Sequence, residues 1–272
     1  MKTPITYYGG KQQLADTIVR LIPPHKIYVE PFIGGGAVYF AKQPSELEVI
    51  NDINGEVANF YKIIKNDFDT LQKEIEKTLY SREAHRHARV VYENPDMFSP
   101  AKRAWALWTR ASMGFGGDIL SGYGYANSVR MIKSVKNKID NFTSALSKRL
   151  RNTEIESYDA LKIITARDTP ETFFYLDPPY PDTDQGHYNG YSINDFAALL
   201  ELISGLQGKF LLSSFRYDIL TEQTAKNGWS QFEITMNKSV TANSGQSLQK
   251  IEVFTANYPI EKEGYGLLSL FN

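Results

Sequence analysis

Four consecutive residues near the middle of the chain, Asp177-Pro178-Pro179-Tyr180, combine side chains that can bind a planar ring bearing an amino group. The apolar run before them, residues 173–176, is short enough to be a buried strand. The four residues therefore follow the C-terminal end of a strand, where open α/β sheets bind their ligands. Two prolines stiffen this turn and leave its carbonyl oxygens free as acceptors. A carboxylate, rigid carbonyls and an aromatic face together predict a site where a nucleobase attacks through its own amine.

A glycine cluster forms a second candidate site at residues 32–36, between a predicted strand at 27–29 and a predicted helix at 37–42. Glycines at such a turn allow the backbone to approach a ligand closely. The cluster lacks the G-x-G-x-x-G spacing of a dinucleotide fingerprint. A nicotinamide oxidoreductase is therefore disfavoured.

Asp52 ends a second predicted strand at residues 49–50. In Rossmann-like sheets an acidic residue at this place accepts hydrogen bonds from ribose hydroxyls. The alternative is a turn or helix-cap role, for which Asn54 competes. We expect Asn54 to cap a helix over 55–65 and Asp52 to bind a ribose.

The remaining elements predict an α/β chain interrupted by a helical segment. Residues 67–150 show helical spacing at 71–79, 101–111 and 129–150 and no strand–helix alternation. The alternation resumes afterwards, and the predicted strands and helix are 155–158, 173–176, 194–206 (the helix), 209–214, 232–236 and 251–256. We expect the last two strands to form an antiparallel pair that closes a mostly parallel sheet. The predicted domains are a catalytic domain, 1–66 with 151–272, and an insert, 67–150.

Composition narrows the class of protein. Apolar residues make up 42% of the 272 residues and charged residues 22%, as in soluble globular proteins. The chain has no cysteine, which excludes disulfides, thiolate metal sites and the thiolate chemistry of cytosine C5 methylation. The histidine spacing predicts no metal site. The sequence shows neither a leader nor a membrane-length apolar stretch, so we expect a cytoplasmic protein.

The net charge of −1 is unevenly distributed. Residues 100–152 contain ten Lys or Arg and two Asp. A concentrated basic surface favours binding to a phosphate backbone. Basic helices with solvated outer faces are the alternative explanation.

Several blocks in a fixed order resemble the Dam-type DNA adenine-N6 methyltransferases. They are Tyr7-Tyr8-Gly9-Gly10-Lys11, Glu30-Pro31-Phe32-Ile33-Gly34-Gly35-Gly36, Asn51-Asp52-Ile53-Asn54, Glu156-Ser157-Tyr158 and Asp177-Pro178-Pro179-Tyr180. The resemblance implies a Rossmann-like methyltransferase sheet with an inserted, mainly helical target-recognition domain. It also implies S-adenosylmethionine as the cofactor and double-stranded DNA, with a flipped-out adenine, as the substrate.

The resemblance also implies roles for individual residues. The catalytic residues would be Asp177, Pro178, Pro179 and Tyr180. The cofactor would contact Tyr7, Lys11, Phe32, Gly34, Gly36, Asp52, Ser157, Tyr158 and Asp177. In the insert, the candidates for DNA contact are Arg110, Arg130, Lys133, Lys136 and Lys138.

The chain departs from the family pattern at two places. Tyr7 stands where the family often has tryptophan, and residues 112–117 replace an expected Asn-Gly block, so the recognition sequence stays open. Tail residues 237–249 are a weaker candidate for approaching DNA. Alternatives are methylation of cytosine N4 or of adenine in RNA, and a non-catalytic DNA-binding protein on the same scaffold. A cognate restriction nuclease is a candidate partner. Because one chain carries both the catalytic and the recognition residues, a monomer is a plausible oligomeric state.

Overall fold

The computed structural model describes residues 1–7, 9–124, 129–181, 190–237 and 249–260. Within these residues the chain forms a seven-stranded sheet. The strands are β1 (Ile27–Glu30), β2 (Leu47–Asn51), β3 (Thr153–Glu156), β4 (Thr172–Leu176), β5 (Lys209–Ser214), β6 (Ser230–Asn237) and β7 (Gln249–Ala256).

The strand order across the sheet is β3-β2-β1-β4-β5-β7-β6. The first five of these strands are parallel, whereas β7 is antiparallel to both β5 and β6. This confirms the predicted α/β class with a parallel core and an antiparallel C-terminal pair. The predicted strand 209–214 matches β5.

Helices cover the sheet and fill the segment between β2 and β3. They are α1 (Ala15–Leu21), α2 (Ala37–Ala41), α3 (Gly55–Asn66), α4 (Phe68–Glu76), α5 (Arg82–Glu93), α6 (Pro100–Met113), α7 (Val129–Asp140), α8 (Ser144–Leu150), α9 (Ala160–Ala166), α10 (Ile193–Ser204) and α11 (Asp218–Asn227). The Asn54 side chain accepts a hydrogen bond from the Glu56 amide, so the predicted cap of α3 is confirmed.

The central strand β4 is buried along its whole length, which explains the apolar run 173–176 within it. Successive side chains point to opposite faces. Phe173 and Tyr175 join the larger core beneath α3 and α6, whereas Phe174 and Leu176 join a second core beneath α10. The strand that precedes the candidate catalytic turn is therefore fixed by packing on both faces.

Helices α4 to α8 occupy the predicted insert, whose boundaries as a domain stay a prediction. The predicted helical stretch 129–150 is confirmed as two helices, with a break between α7 and α8 that the spacing did not show. At the break the buried ring of Phe142 stacks on Phe68, with 5.3 Å between centroids. A continuous helix would have to give up this packing.

A buried charge cluster joins the end of the insert to the sheet. Arg149 on α8 donates to both carboxylate oxygens of Glu48 on β2, and its guanidinium lies 3.8 Å from the Tyr39 ring centroid. Lys42 donates to the same carboxylate at 2.5 Å. The insert therefore returns to the sheet through a fixed polar contact.

Three neighbouring parallel strands, β2, β1 and β4, end at the same edge of the sheet. The glycine cluster follows β1, Asp52 follows β2 and Asp177 follows β4. The topology thus brings the separate sequence motifs together. In the described part of the chain, no helix is long and apolar enough to span a membrane.

We predict that Gly36→Ala destabilises the fold more than Gly228→Ala does. Both glycines have left-handed backbones, with φ of 70° and 65°. A β-carbon at Gly36 would lie 3.0 Å from the Phe40 ring, whereas one at Gly228 would meet no atom within 4 Å. Both variants should lose about 1–2 kcal/mol from backbone strain, and Gly36→Ala should lose more. Urea unfolding measures the difference, and equal losses would contradict the close packing.

Candidate active site

The glycine turn after β1 depends on two left-handed residues, Gly34 with φ of 43° and Gly36 with φ of 70°. The Tyr61 hydroxyl donates to the Gly34 carbonyl at 2.8 Å. Tyr7 packs across the turn, where a β-carbon on Gly34 or Gly35 would lie 3.0 Å from its side chain. The N-terminal block therefore folds over the glycine turn.

Asp52 is buried behind the same turn. Its carboxylate accepts from the Gly34 amide at 3.0 Å and from the Asn54 amide at 2.9 Å. Burial raises the pKa of Asp52 to about 6, against the opposing effect of these two hydrogen bonds. Each carboxylate oxygen has two acceptor sites, so Asp52 can still receive a ligand hydroxyl.

Asp177 receives the ammonium of Lys11 at the end of β4. The Lys11 Nζ atom lies 2.8 Å from Oδ1 and 3.0 Å from Oδ2 of Asp177, and 3.2 Å from the Gly9 carbonyl. Lys11 is 6% exposed and the Asp177 side chain 19%. The N-terminal block and the candidate catalytic turn are thereby joined by a largely buried ion pair.

Glu252 on β7 completes the cluster from beneath. Its fully buried carboxylate lies 3.4 Å from the Lys11 Nζ atom and accepts from Ser213 at 2.7 Å. The Tyr180 hydroxyl donates to Glu252 and lies 3.2 Å from the Asp177 carboxylate. The Tyr180 ring packs edge-on against Phe215 and beneath Lys11, whose Nζ atom is 4.9 Å from the ring centroid.

The charge states of this cluster are coupled. Burial by itself lowers the pKa of Lys11, but the carboxylates of Asp177 and Glu252 outweigh that effect and raise it. Burial raises the pKa of Asp177, and the ion pair with Lys11 opposes that rise. Lys11 is therefore a cation at neutral pH and is the counter-ion of both carboxylates.

Glu30 adds another carboxyl group to this edge of the sheet. It accepts a hydrogen bond from Tyr28 at 2.6 Å and is 2% exposed. Burial raises the pKa of Glu30 to about 8, so the carboxyl group is mostly protonated at neutral pH. A cation bound beside it would favour its ionised form.

Two cavities meet at Phe32 and Pro179, which line both. The first measures about 400 Å³, and its lining includes Tyr7, Lys11, Glu30, the glycine turn, Asp177, Pro178 and Tyr180. The second measures about 300 Å³, and its lining includes Asp52, Ile53, Asp159, Tyr191 and Asp195. Most of the predicted catalytic and cofactor residues therefore lie around one connected depression.

Ser157 and Tyr158 lie at the margin of this depression and outside its described lining. Ser157 donates to the Asp52 carbonyl at 3.1 Å. The Asn51 side chain bonds both the amide and the carbonyl of Tyr158, at 2.8 and 3.0 Å, and the Tyr158 ring is 52% exposed. They support the second cavity through the backbone, and their contact with the cofactor stays a prediction.

The basic excess of residues 100–152 is partly used inside the protein. Lys102 pairs with Glu74, Arg103 with Glu56 and Arg149 with Glu48. These ion pairs stabilise the packing between helices and the sheet. The charge count alone therefore overestimates the surface available to DNA.

We correct the expectation for Arg110, the first of the candidate DNA contacts. Its side chain is 2% exposed, and its guanidinium donates to the Ile119 carbonyl. Arg110 stabilises the loop after α6 and is not presented to DNA in this structure.

Lys133 and Lys136 are exposed on α7, and burial lowers the pKa of the half-buried Lys138 to about 8. The Arg130 side chain and tail residues 238–248 lie outside the described part.

Sequence reasoning did not assign roles to Glu30, Glu252, Ser213, Ile53 or Tyr191. Glu30 and Ile53 stand inside the motif blocks, so their positions were a usable signal. Glu252 and Ser213 lie on ordinary-looking strands, and only the pairing of β5 with β7 brings them beneath Asp177. Nothing in the local sequence distinguishes them.

The parallel sheet, the glycine turn and the Asp-Pro-Pro-Tyr turn together define a Rossmann-like methyltransferase that acts on an amino group. Residues 7–241 match the family model of the D12 class N6 adenine-specific DNA methyltransferases, and the chain belongs to this family.

Curated relatives agree with this assignment. The Type II methyltransferase M1.LlaDCHI of Lactococcus lactis subsp. cremoris is 27% identical, and the match covers 92% of this chain and 93% of that protein. The DNA adenine methylase of Escherichia coli strain K12 is 26% identical, with 93% and 94% covered. The DNA adenine methylase of Haemophilus influenzae is 24% identical, with 88% and 87% covered. The chain is thus an adenine-specific DNA methyltransferase by family.

We predict that Lys11→Met destabilises the ligand-free protein by about 3–5 kcal/mol, because it leaves two buried carboxylates without their counter-ion. Urea unfolding gives the free energy. Adding Glu252→Gln to Lys11→Met should restore part of the loss, since it removes one of those charges. A loss from Lys11→Met below about 1 kcal/mol, the range of exposed pairs, would contradict the proposed cluster.

We predict that Glu30→Gln stabilises the protein increasingly as pH rises from about 5 to 8. The folded pKa of Glu30, about 8, lies above its ordinary value of 4.5, so ionisation opposes folding across this window. At pH 7 the gain should be of the order of 3 kcal/mol. Thermal and urea unfolding across pH measure it. The exposed Glu201→Gln is the control, and a pH-independent difference for Glu30→Gln would count against a buried neutral carboxyl.

Proposed function

We propose that this protein transfers a methyl group from S-adenosylmethionine to the N6 amine of an adenine turned out of double-stranded DNA. The observation that carries the proposal is the position of Asp177. Its carboxylate lines the first cavity, next to the Tyr180 ring and the two prolines and close to the glycine turn. One depression therefore contains a hydrogen-bond acceptor, Asp177, an aromatic face, Tyr180, and a second cavity whose carboxylate, Asp52, can accept from ribose hydroxyls.

The residues around the cavities fit S-adenosylmethionine. Gly34, Gly35 and Gly36 line the first cavity, so the turn presents its backbone to a ligand without side chains. Glu30 and Asp177 supply acidic groups for a cationic ligand. In the second cavity, Asp52 is an acceptor for hydroxyls, and the buried Tyr191 hydroxyl has no hydrogen-bond partner among the residues that the structure describes. When bound, the cofactor supplies an electrophilic methyl group on a sulfonium centre.

The Lys11 ammonium marks the place of the target amine. Its nitrogen donates to Asp177 and lies over the Tyr180 ring, which are the contacts expected of an exocyclic amine held for attack. A base entering this place must displace the ammonium from Asp177. We propose that Lys11 then turns to the carboxylate of the bound cofactor, as the family resemblance implies.

Orientation and electrostatics account for the chemistry assigned to these residues. The lone pair of the adenine amine is delocalised into the ring. Asp177 and the Pro178 carbonyl accept the two amine hydrogens, which directs the lone pair at the methyl carbon. Positive charge develops on nitrogen as the N–C bond forms and the bond from the methyl carbon to sulfur breaks, and the acceptors stabilise this charge. The amine then loses one proton, for which Asp177 is the nearest acceptor. Withdrawal of Lys11 from this place removes a repulsive cation at the same time.

A base inside a duplex cannot reach Asp177, so the target must be flipped out at a cost of a few kcal/mol. Tyr180 lines the first cavity and is already held from below by Glu252 and Ser213. A ring held in this way offers a stacking surface without further loss of side-chain freedom.

One relative is named a Type II methyltransferase, and on this basis we propose a cognate restriction nuclease as a partner.

Base-modification sequencing of DNA from cells that express the protein tests the proposal. The host must lack other adenine methyltransferases. We expect N6-methyladenine in one short sequence motif. Modified cytosine N4, or modified adenine in RNA alone, would replace adenine in DNA as the target. Unmodified nucleic acid from cells that contain folded protein would contradict the proposal.

We predict that Asp177→Ala abolishes methyl transfer and leaves most DNA binding intact, because the acceptor of the amine is lost while the basic surface is unchanged. Radiolabelled methyl transfer and fluorescence anisotropy with duplex DNA measure the two effects. The exposed Asp218→Ala serves as a control for the loss of one carboxylate. Methyl transfer by Asp177→Ala at a near-normal rate would remove Asp177 from the catalytic assignment.

A further inference from the structure

A groove of about 800 Å³ runs between the N-terminal segment and helix α7. One wall contains Lys2, Thr3 and Gln12, and the Thr3 hydroxyl donates to the Gln12 side chain at 2.9 Å. The other wall is one side of α7 with the turn that follows it, and its residues are Lys133, Ser134, Asn137, Lys138 and Asn141. The described lining contains three lysines and no carboxylate.

The groove opens into the first cavity of the active site. Thr3, Ile5, Thr6 and Gln12 line both. A nucleotide whose base occupies the first cavity must leave its sugar and phosphates outside, at the cavity mouth. The groove lies next to the cavity mouth, and its side chains can bind the sugar and phosphates. Lys, Ser, Thr, Asn and Gln are common donors to phosphate oxygens.

The face of α7 in the groove excludes one of the predicted DNA contacts. Lys133 and Asn137 are spaced by four residues, as are Ser134 and Lys138, so these four share one side of the helix. Asn141 follows the last residue of α7. Lys136 is three residues from Lys133 and therefore borders this side of the helix, but it lies outside the described lining of the groove. Lys133 and Lys136 are both exposed, but only Lys133 lines the groove.

Lys138 is half-buried and has no ion-pair partner among the described residues. Its burial lowers its pKa to about 8. A partly desolvated ammonium without a counter-ion is unfavourable in the free protein. An anion in the groove, such as a phosphate of DNA, would pair with the Lys138 ammonium and offset this cost.

We propose that this groove binds the sugar–phosphate backbone of the strand that carries the target base, with Lys133 and Lys138 contacting its phosphates and Lys136 taking no part. The inference rests on the proposed function, because it takes the first cavity to hold the flipped base. It assigns the N-terminal segment a part in DNA binding that the insert alone would not supply.

The absence of cysteine from the chain allows a direct test. Single variants Asn137→Cys and Lys136→Cys place thiols on neighbouring exposed residues, one in the groove and one outside it. We would measure maleimide alkylation with and without a mixed-sequence duplex. The groove predicts at least about tenfold slower alkylation at residue 137 with DNA, in the range expected of a well-populated complex, and little change at residue 136. Equal protection at both positions, or none at 137, would overturn it.

The salt dependence of duplex binding gives a second readout. The paired variant Lys133→Gln/Lys138→Gln should reduce the slope of log K against log salt by roughly 0.9 for each phosphate that is no longer neutralised. Lys136→Gln, which removes a charge from the same helix, should leave the slope within error. An unchanged slope in the paired variant, with circular dichroism showing folded protein, would overturn the inference.

Failure of the inference and failure of the proposed function are distinguishable. A wild-type protein that methylates DNA while residue 137 stays unprotected contradicts the groove and leaves the activity in place. Protection of residue 137 in a protein that methylates neither DNA nor RNA supports the groove as a phosphate site and contradicts the catalytic proposal.

Discussion

Lys11 and Asp177 are 166 residues apart in the sequence, and their ion pair joins the N-terminal segment to the end of β4. Glu252 extends the contact to the antiparallel strand β7, so one ammonium holds three parts of the chain. The arrangement is stable because the cation satisfies two carboxylates that would otherwise be buried without a counter-ion. The ion pair also occupies the Asp177 carboxylate, so an incoming amine must displace the Lys11 ammonium before it can donate to Asp177.

The other side of the depression is built by uncharged donors and backbone groups. Asp52 accepts the amides of Gly34 and Asn54, and the Asn51 side chain bonds the Pro31 carbonyl and the Tyr158 backbone. These hydrogen bonds connect the ends of β1, β2 and β3 without an ion pair such as that of Lys11 with Asp177. The site is therefore held by hydrogen bonds where we propose that a ribose binds, and by an ion pair where we propose that the reacting amine binds.

Four cations of the insert illustrate two different physical roles. Arg110 and Arg149 are buried: Arg110 holds the loop after α6, and Arg149 holds the end of the insert against the sheet. Lys133 and Lys138 face an open groove next to the active site. The contact of Arg149 with Glu48 joins the insert to the sheet on which Asp177 lies.

The fold could be predicted well wherever periodicity and local signals agreed. Strand β5, the cap at Asn54 and the antiparallel tail follow from apolar runs and from the side-chain chemistry of single residues. The break between α7 and α8 could not, because it depends on the contact of Phe142 with Phe68, which is remote in sequence. The short helices α9 and α11 were likewise missed, since each has few buried residues to mark a helical face.

The sequence by itself determined the family and identified the candidate catalytic turn, because Asp177 to Tyr180 and the glycine cluster carry their chemistry in residue type and spacing. Only the tertiary structure decided which charges are available. Burial placed Arg110 inside the protein, raised the pKa of Glu30 to about 8 and paired Lys11 with Asp177 and Glu252. Such outcomes depend on desolvation and on partners far away in the chain, and neither is encoded in the local sequence.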